Sequence, residues 1–296
     1  MLCNRTMDME KEFPRSTASF NELARIFSYN RAHSLDIRDE GEKVEDGIII
    51  HDVSYAGFAQ ERIPAFLVEP LGEGTRAGIV FVHPGPGNRS TFLDEAKQLA
   101  GKGASCLLIN APRSDGSRFA SRVMVSSDEE LRSWYIQMVV DFYRSVDLLT
   151  TSPQVDAHRI GYVGHSFGAL FGGILAGVDT RITSFVLTAG VGSFTDVALL
   201  NIPSLAGERL KKFRAVMDPV DPIHYFGHAP PSAIFFQFGT DDTFFTRQKF
   251  LDFFDAAGNP KLISWYEADH YLNSTARRDR CEWLSTRLNL SLETPV

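Results

Sequence analysis

A chain of 296 residues with 44% hydrophobic content can bury a sizeable core, as one large α/β domain or two small ones. Its formal net charge of −7, with no run of Lys or Arg, argues against a nucleic-acid or anionic-membrane partner and for small or neutral ones. Three cysteines, Cys3, Cys106 and Cys281, make no C-x-x-C and read as free thiols; with no apolar leader and no stretch of membrane-spanning length, the expected location is the cytoplasm.

Residues 1–46 read as an N-terminal extension containing one short helix. Ser19 and Glu22 form a capping box that opens it, and Phe20, Leu23, Ala24 and Phe27 then share a face, so the helix is expected to pack on the outside of the core. Residues 47–55 and 62–70 are β-rich and joined by a Gly-containing connection, which predicts an antiparallel hairpin at one edge of a sheet. From residue 77 strands and helices alternate. Residues 78–82 are a continuous apolar run, as in a strand buried on both faces, and His83-Pro84-Gly85-Pro86-Gly87-Asn88 breaks it. A helix carrying Phe92, Leu93, Ala96, Leu99 and Ala100 stops at Gly101 and Gly103, and residues 104–110 are the next strand. Residues 111–126 form a long polar loop with Arg113, Arg118 and Arg122. Ser127 and Glu130 then cap the longest helix, whose apolar face is Leu131, Trp134, Met138, Phe142, Val146 and Leu149.

A short apolar strand at residues 159–163 runs into Gly164-His165-Ser166-Phe167-Gly168 and out into a helix of small residues. G-x-S-x-G between a strand and a helix predicts a turn sharp enough to strain the serine and present its hydroxyl, which makes Ser166 a candidate nucleophile. His165, next to it in sequence, should point away and pack beside the turn. Each glycine inside a helix costs about 1 kcal/mol relative to alanine, so Gly172, Gly173 and Gly177 imply close packing of this helix onto the sheet. A strand at 182–189 follows. Residues 190–231 are the least patterned, with helices expected at 194–200 and 206–216, and are too few for a large lid. Next come a buried strand at 232–239, a helix at 247–257, a last strand at 262–266 and a closing helix at 275–290. No Pro/Ser/Gly-rich linker divides residues 47–296, which therefore read as a single catalytic domain; its five parallel crossovers give an open, doubly wound sheet.

A serine hydroxyl is a poor nucleophile at neutral pH and needs a general base in hydrogen-bond reach, itself oriented by an anion. The strand at 232–239 ends in Gly239-Thr240-Asp241-Asp242, and the last strand ends in Glu267-Ala268-Asp269-His270. Parallel strands deliver their C-terminal ends to one edge of the sheet, so Ser166, one of the two aspartates and His270 are expected to converge there. His224 and His228 both precede the strand at 232–239 and are expected on the surface of the connecting segment. No metal-ligand spacing and no complete phosphate-binding glycine loop is present, so neither a metal nor any other cofactor is expected.

The order Ser, Asp, His on three such strands resembles the α/β-hydrolase superfamily over nearly the whole chain from Gly47 onward. The early edge strands, His83-Pro84-Gly85-Pro86-Gly87, Gly-Thr-Asp-Asp and the small insertion are similar to its dienelactone-hydrolase-like and acetyl-xylan-esterase-like branch. The resemblance implies an α/β-hydrolase fold, a mostly parallel sheet with an antiparallel edge and little or no lid. It also implies a serine hydrolase that cleaves a carboxylic ester of a small molecule. The family places the acid three residues after the strand-ending glycine, which selects Asp242, leaving Asp241 as a turn residue. One oxyanion-hole donor would be the amide of Phe167. The other comes from the loop after Val82, where Pro84 and Pro86 have no N–H, so Gly85 is preferred over Gly87 or Asn88. Phe244, Phe245 and Tyr271 beside the catalytic edge, with Phe167, are candidate walls of a short acyl pocket, and Arg113 a candidate contact for a carboxylate on the alcohol part. Dienelactone hydrolase carries cysteine where this chain has Ser166, which turns the expectation from lactones toward esters. Lactone or thioester hydrolysis, a peptidase of the prolyl-oligopeptidase type and a non-catalytic binding protein are the alternatives; the peptidases carry a large N-terminal propeller, for which some forty residues are too few.

Overall fold

The computed structural model describes residues 18–58, 61–85, 87–111, 127–230 and 232–290. Nine strands build one sheet: β1 (Arg38–Glu45), β2 (Ile48–Ala56), β3 (Arg62–Pro70), β4 (Arg76–Val82), β5 (Ala104–Ile109), β6 (Val155–His165), β7 (Ile182–Thr188), β8 (Ala233–Gly239) and β9 (Lys261–Tyr266). They lie in the spatial order β1-β2-β3-β5-β4-β6-β7-β8-β9. β1, β2, β3 and β5 pair antiparallel, and every pair from β5 to β9 is parallel. The chain steps from β4 to β5 in one direction and from β5 back past β4 to β6 in the other. Crevices at such a reversal, outside the C-terminal strand ends, are where open α/β sheets bind ligands. The loops after Val82 and His165 leave the sheet on the two sides of this reversal.

Alternation along the strands sorts their side chains into two layers. Val80 and Val82 of β4 enter the larger core, with α3 (Asp128–Thr151), α4 (Phe167–Val178) and, through Phe250 and Phe253, α7 (Arg247–Ala256). Ile79 and Phe81 enter a second core beneath α2 (Leu93–Ala100) and α8 (Ser274–Arg287). β4, β5 and β8 are buried at every residue, which is why they read as unbroken apolar runs. Between β7 and β8 lie α5 (Phe194–Asn201), α6 (Gly207–Met217) and three short 3₁₀ turns, with no larger cover. Among the described residues no helix is long and apolar enough to cross a membrane.

Two features depart from the sequence reading. β1 has no counterpart in it: Arg-Asp-Glu-Gly-Glu-Lys-Val-Glu carries no apolar alternation and is exposed almost throughout. It is a strand because the outer edge of β2 offers a ladder from Ile48 to Ser54, and its charges keep the new edge from pairing with another chain. The first helix, α1 (Phe20–Arg25), opens with the expected capping box, but Leu23 and Phe27 belong to the larger core, Phe27 meeting the ring of Tyr225 at 5.4 Å.

The glycines of α4 are explained by close packing, only partly against the sheet. A Cβ at Gly172 would stand 2.5 Å from Leu187 of β7, whereas one at Gly173 would stand 1.8 Å from the Phe226 ring and one at Gly177 2.3 Å from the Tyr225 carbonyl. The 3₁₀ segment of Phe226 and Tyr225 lies directly on the helix backbone, and Phe226 is fully buried. Gly173→Ala is therefore expected to destabilise the fold by about 1–3 kcal/mol and lower Tm by about 2–10 °C. An unchanged Tm in scanning calorimetry would mean that Phe226 moves freely.

Candidate active site

β6 ends at His165, and the chain turns at Ser166 with φ 51° and ψ −106° before α4 begins at Phe167. A non-glycine residue in such a conformation costs on the order of 1–3 kcal/mol and persists only where its surroundings hold it. Here they do. The Ser166 amide donates to the Thr188 carbonyl at 2.7 Å, and the Tyr162 hydroxyl donates to the Gly168 carbonyl at 2.7 Å. A Cβ at Gly164 would stand 2.3 Å from the Gly168 oxygen, and one at Gly168 2.2 Å from the Val82 oxygen. The motif's two glycines are thus required by contact between main chains.

His270 and Asp242 arrive from the ends of β9 and β8. The Ser166 hydroxyl donates to His270 Nε2 at 2.8 Å, and His270 Nδ1 donates to Asp242 Oδ2 at 2.6 Å. The other carboxylate oxygen, Oδ1, accepts the amides of Phe244 at 2.8 Å and Phe245 at 3.2 Å. Burial pushes the Asp242 carboxyl up, but its bond to His270, that ring's charge and the two amides outweigh it, so its pKa lies below the usual carboxylate range. Asp241 is exposed and turns away: its amide donates to the Ala268 carbonyl at 3.0 Å, and among the described residues its carboxylate accepts only the Thr240 hydroxyl, at 3.4 Å. Neither rival histidine reaches Ser166. His224 Nε2 lies 3.0 Å from Asp218, half-buried rather than solvated, and exposed His228 stacks on Phe20 at 3.9 Å.

The loop after β4 is held by His83. The Ala111 amide donates to His83 Nε2 at 3.1 Å, so the ring proton is on Nδ1, which donates to the Pro84 carbonyl at 2.7 Å. That carbonyl also accepts the Gly87 amide at 2.9 Å, and the Asn88 amide donates to the Thr91 hydroxyl at 3.1 Å. Gly87 and Asn88 are both engaged, while the Gly85 amide meets no acceptor among the described residues. In a trans peptide the N–H points opposite the carbonyl, so the bonds to Pro84 turn the Gly85 amide away from His83 and Gly87. Phe167 supplies the first amide of α4, at the positive end of the helix.

The expected substrate contacts divide. Phe244 and Tyr271 are 47% and 54% exposed and flank the His270 ring at 4.6 and 5.7 Å. Phe245 is partly buried, 6.1 Å from Phe250 of the core and 6.1 Å from the His270 ring. Phe167 is buried with Phe171 at 4.7 Å and Trp134 at 6.4 Å, so the core face of α3 reaches the residue beside the nucleophile. Arg113, Arg118 and Arg122 lie outside the described residues. Cys106 and Cys281 are buried free thiols, burial raising Cys281 to about 11 and Cys106 well above the usual range. Among the described residues no cluster of three or more His, Cys, Asp or Glu could hold a metal ion.

Two histidines went unremarked as parts of the site. His83 and His165 each close a fully buried stretch of strand, a costly place for an imidazole unless it is bonded, and that was the available signal. His165 does point away from the Ser166 hydroxyl, but it is not merely packed: its Nε2 donates to the main-chain carbonyl of His270 at 2.8 Å.

No protein-family model and no curated protein matches this chain. Solved structures do. An acetyl xylan esterase from Paenibacillus sp. R4 superposes with a TM-score of 0.77 at 18% identity, over 93% of this chain and 97% of that one. Acetyl xylan esterase 1 from Thermoanaerobacterium sp. JW/SL YS485 gives 0.78 at 15% identity, over 97% and 99%. This chain has the α/β-hydrolase fold. A cold-adapted esterase from an Arctic intertidal metagenomic library, at 0.60 and 16% identity over 84% and 97%, shares that α/β-hydrolase architecture.

Burial makes the supporting histidines of this site sensitive to acid. Burial first, then the charges of His270 and Arg280, lowers the pKa of His165 to about 3, its bond to His270 opposing; burial also lowers that of His83. Unfolded histidines titrate near about 6.5, so between the two values the unfolded chain binds a proton that the folded chain refuses. Stability therefore falls as pH falls through that window, at about 1.4 kcal/mol per pH unit for His165, and His83 acts in the same direction. Asp242, with its depressed pKa, adds stability that is lost only further down, as pH drops below the unfolded value near about 3.9. Lowering the pH from 7 to 5 should cost His165→Gln about 2 kcal/mol less unfolding free energy than it costs the wild type. Equal losses in urea titrations at the two pH values would show that His165 takes up a proton within the fold.

Proposed function

We propose that the protein is a serine hydrolase that cleaves a carboxylic ester of a small molecule through an acyl-enzyme. The observation that carries this is the chain of two hydrogen bonds from Ser166 through His270 to Asp242, at the C-terminal ends of three parallel strands. In this reading His270 Nε2 takes the Ser166 proton as Oγ attacks the ester carbonyl. The tetrahedral oxyanion is held by the amides of Phe167 and Gly85, each donor worth roughly 10²–10³ in rate. His270 then gives its proton to the departing alkoxide, the C–O bond breaks, and the acyl group stays on Ser166. A water, deprotonated by His270, attacks that acyl-serine; the carboxylic acid leaves and Ser166 recovers its proton. Asp242 remains ionised throughout, keeping the Nδ1–H tautomer and stabilising the imidazolium.

The aromatic cluster supports a small acyl group. Phe167, packed with Trp134 and Phe171, closes the space beside the elbow, while exposed Phe244 and Tyr271 leave the His270 side open to the alcohol part. Acetyl to butyryl esters are the expected substrates, without interfacial activation, because among the described residues only two short helices and three 3₁₀ turns stand between β7 and β8. On p-nitrophenyl esters kcat/KM should fall from acetate to decanoate, and a rise along that series would contradict the assignment of these rings.

Ser166→Ala should abolish both hydrolysis and covalent labelling by a fluorophosphonate probe while the fold persists. A variant keeping more than about a hundredth of the wild-type kcat would overturn the nucleophile, since triad serines matter by roughly 10⁴–10⁶. Of the two aspartates, Asp242→Asn should cost about 10⁴ in kcat and Asp241→Asn less than about tenfold. A larger loss at Asp241 would reverse their roles.

A further inference from the structure

Taking the site as a serine hydrolase, we propose that His165 is a positioning residue: by bonding the main-chain carbonyl of His270, it sets where that ring meets the Ser166 hydroxyl. His165 and Ser166 are joined by a peptide bond. His165 Nε2 donates to the His270 carbonyl at 2.8 Å, and the Ser166 hydroxyl donates to His270 Nε2 at 2.8 Å. One covalent link and two hydrogen bonds thus close a ring through three residues. If the first bond is lost, the imidazole is held by its two ring nitrogens alone, through Ser166 and Asp242, with no tie on its main chain from the β6 side.

The His270 loop is anchored elsewhere, but not at this residue. The Thr240 amide donates to the Tyr266 carbonyl at 2.8 Å, and the Asp241 amide to the Ala268 carbonyl at 3.0 Å, which fixes the approach to the loop. Asp269 holds the exit, its carboxylate accepting the Tyr271 amide at 2.9 Å and its carbonyl the Leu272 amide at 3.2 Å. His270 lies between these anchors, and the donor its own carbonyl meets is His165. Because a carbonyl only accepts, the His165 proton must be on Nε2 and the ring neutral or fully protonated. Burial, then the charges of His270 and Arg280, keep it neutral down to about pH 3, so the donor has one fixed tautomer over the working range. The ring is also seated, meeting Tyr271 edge-on at 5.9 Å and His270 at 5.5 Å. A Gln side chain can carry its Nε2 toward the position of the imidazole Nε2; Ala and Phe offer no donor.

Misplacing a reacting group by about 1 Å can cost on the order of a hundredfold, and here the misplaced group is both base and acid. The test compares wild type with His165→Ala, His165→Gln and His165→Phe in the full chain, on p-nitrophenyl acetate and ethyl acetate, with Tm for each. His165→Ala should lose about 10–100-fold in kcat on the nitrophenyl ester with KM within about threefold. Its loss on ethyl acetate should be about ten times larger, since ethoxide needs the proton from His270 and nitrophenolate does not. His165→Gln should recover to within about fivefold of wild type, and His165→Phe, which fills the ring's space, should behave like His165→Ala. The loss should not track Tm, and His165→Phe gives the comparison if the alanine variant fails to fold. His165→Ala within threefold of wild type on both esters, or His165→Gln as impaired as His165→Phe, overturns the proposal. An independent readout is the far-downfield proton resonance of His270 Nδ1–H against Asp242. It should persist in wild type and His165→Gln and broaden away in His165→Ala and His165→Phe. If the wild type hydrolyses neither ester and Ser166 is not labelled by a fluorophosphonate, the hydrolase reading fails. The resonance then decides alone: its loss in His165→Ala upholds the tie, and its retention there breaks it.

Discussion

Three main chains touch at one point of this molecule, and most of the site follows from that contact. The last carbonyl of β4, the end of β6 and the first turn of α4 approach so closely that a methyl group on Gly164 or Gly168 would sit inside a backbone oxygen's radius. The only route left from strand to helix passes through a conformation that Ser166 would not otherwise adopt. The strain is held by bonds that reach the elbow from β6 and β7: the Tyr162 hydroxyl below and the Thr188 carbonyl beside it. Because the same contact pins the end of β4 to the start of α4, the loop carrying Gly85 and the amide of Phe167 are fixed relative to each other before any ligand arrives.

Around that point the polar groups are held by atoms whose hydrogen-bonding sense cannot change. Carbonyls accept, amides donate, and the two supporting histidines face fixed partners, two for His83 and one for His165, that dictate a tautomer. Asp242 spends one oxygen on two amides and the other on His270, so its carboxylate cannot rotate without breaking three bonds. Preorganisation in this sense is a matter of saturated valence rather than of rigidity alone: few alternative pairings exist for the site to fall into.

The meeting of Ser166, an aspartate and His270 was legible because it depends on topology. Unbroken apolar runs mark parallel strands, parallel strands share an edge, and the residues just after them must lie there. Choosing Asp242 over Asp241 took a family resemblance, and in the structure the amides of Phe244 and Phe245 separate them. What escaped was whatever depends on a partner distant in sequence. β1 is a strand only because β2 presents an open edge, and its charged residues hide the fact. Phe244 and Phe245 are adjacent and alike and their amides share one oxygen of Asp242, yet Phe244 is exposed while Phe245 is partly buried against the core. His83 and His165 looked like flanking residues of larger motifs, since nothing local says that one meets Ala111 and the other a carbonyl 105 residues away. Gly173 and Gly177 signalled close packing correctly but not its partner, a 3₁₀ segment with no periodicity to read.

On the far face of the sheet, Arg280 of α8 lies over Glu95 of α2, its Nε donating to the carboxylate at 2.7 Å with both side chains almost fully buried. α2 follows the Gly85 loop and α8 follows the His270 loop, so Glu95, paired with Arg280 and at 3.3 Å with Arg277, fastens together the helices behind the two halves of the edge. A buried charge left without its partner is far more costly than a pair replaced entire by apolar groups. Positions 95 and 280 are therefore tied in descent as well as in space. The tie is not symmetric: a sequence that first loses Arg280 leaves Glu95 paired with Arg277 at 3.3 Å, whereas one that first loses Glu95 strands the buried guanidinium, so position 280 is the one free to drift first.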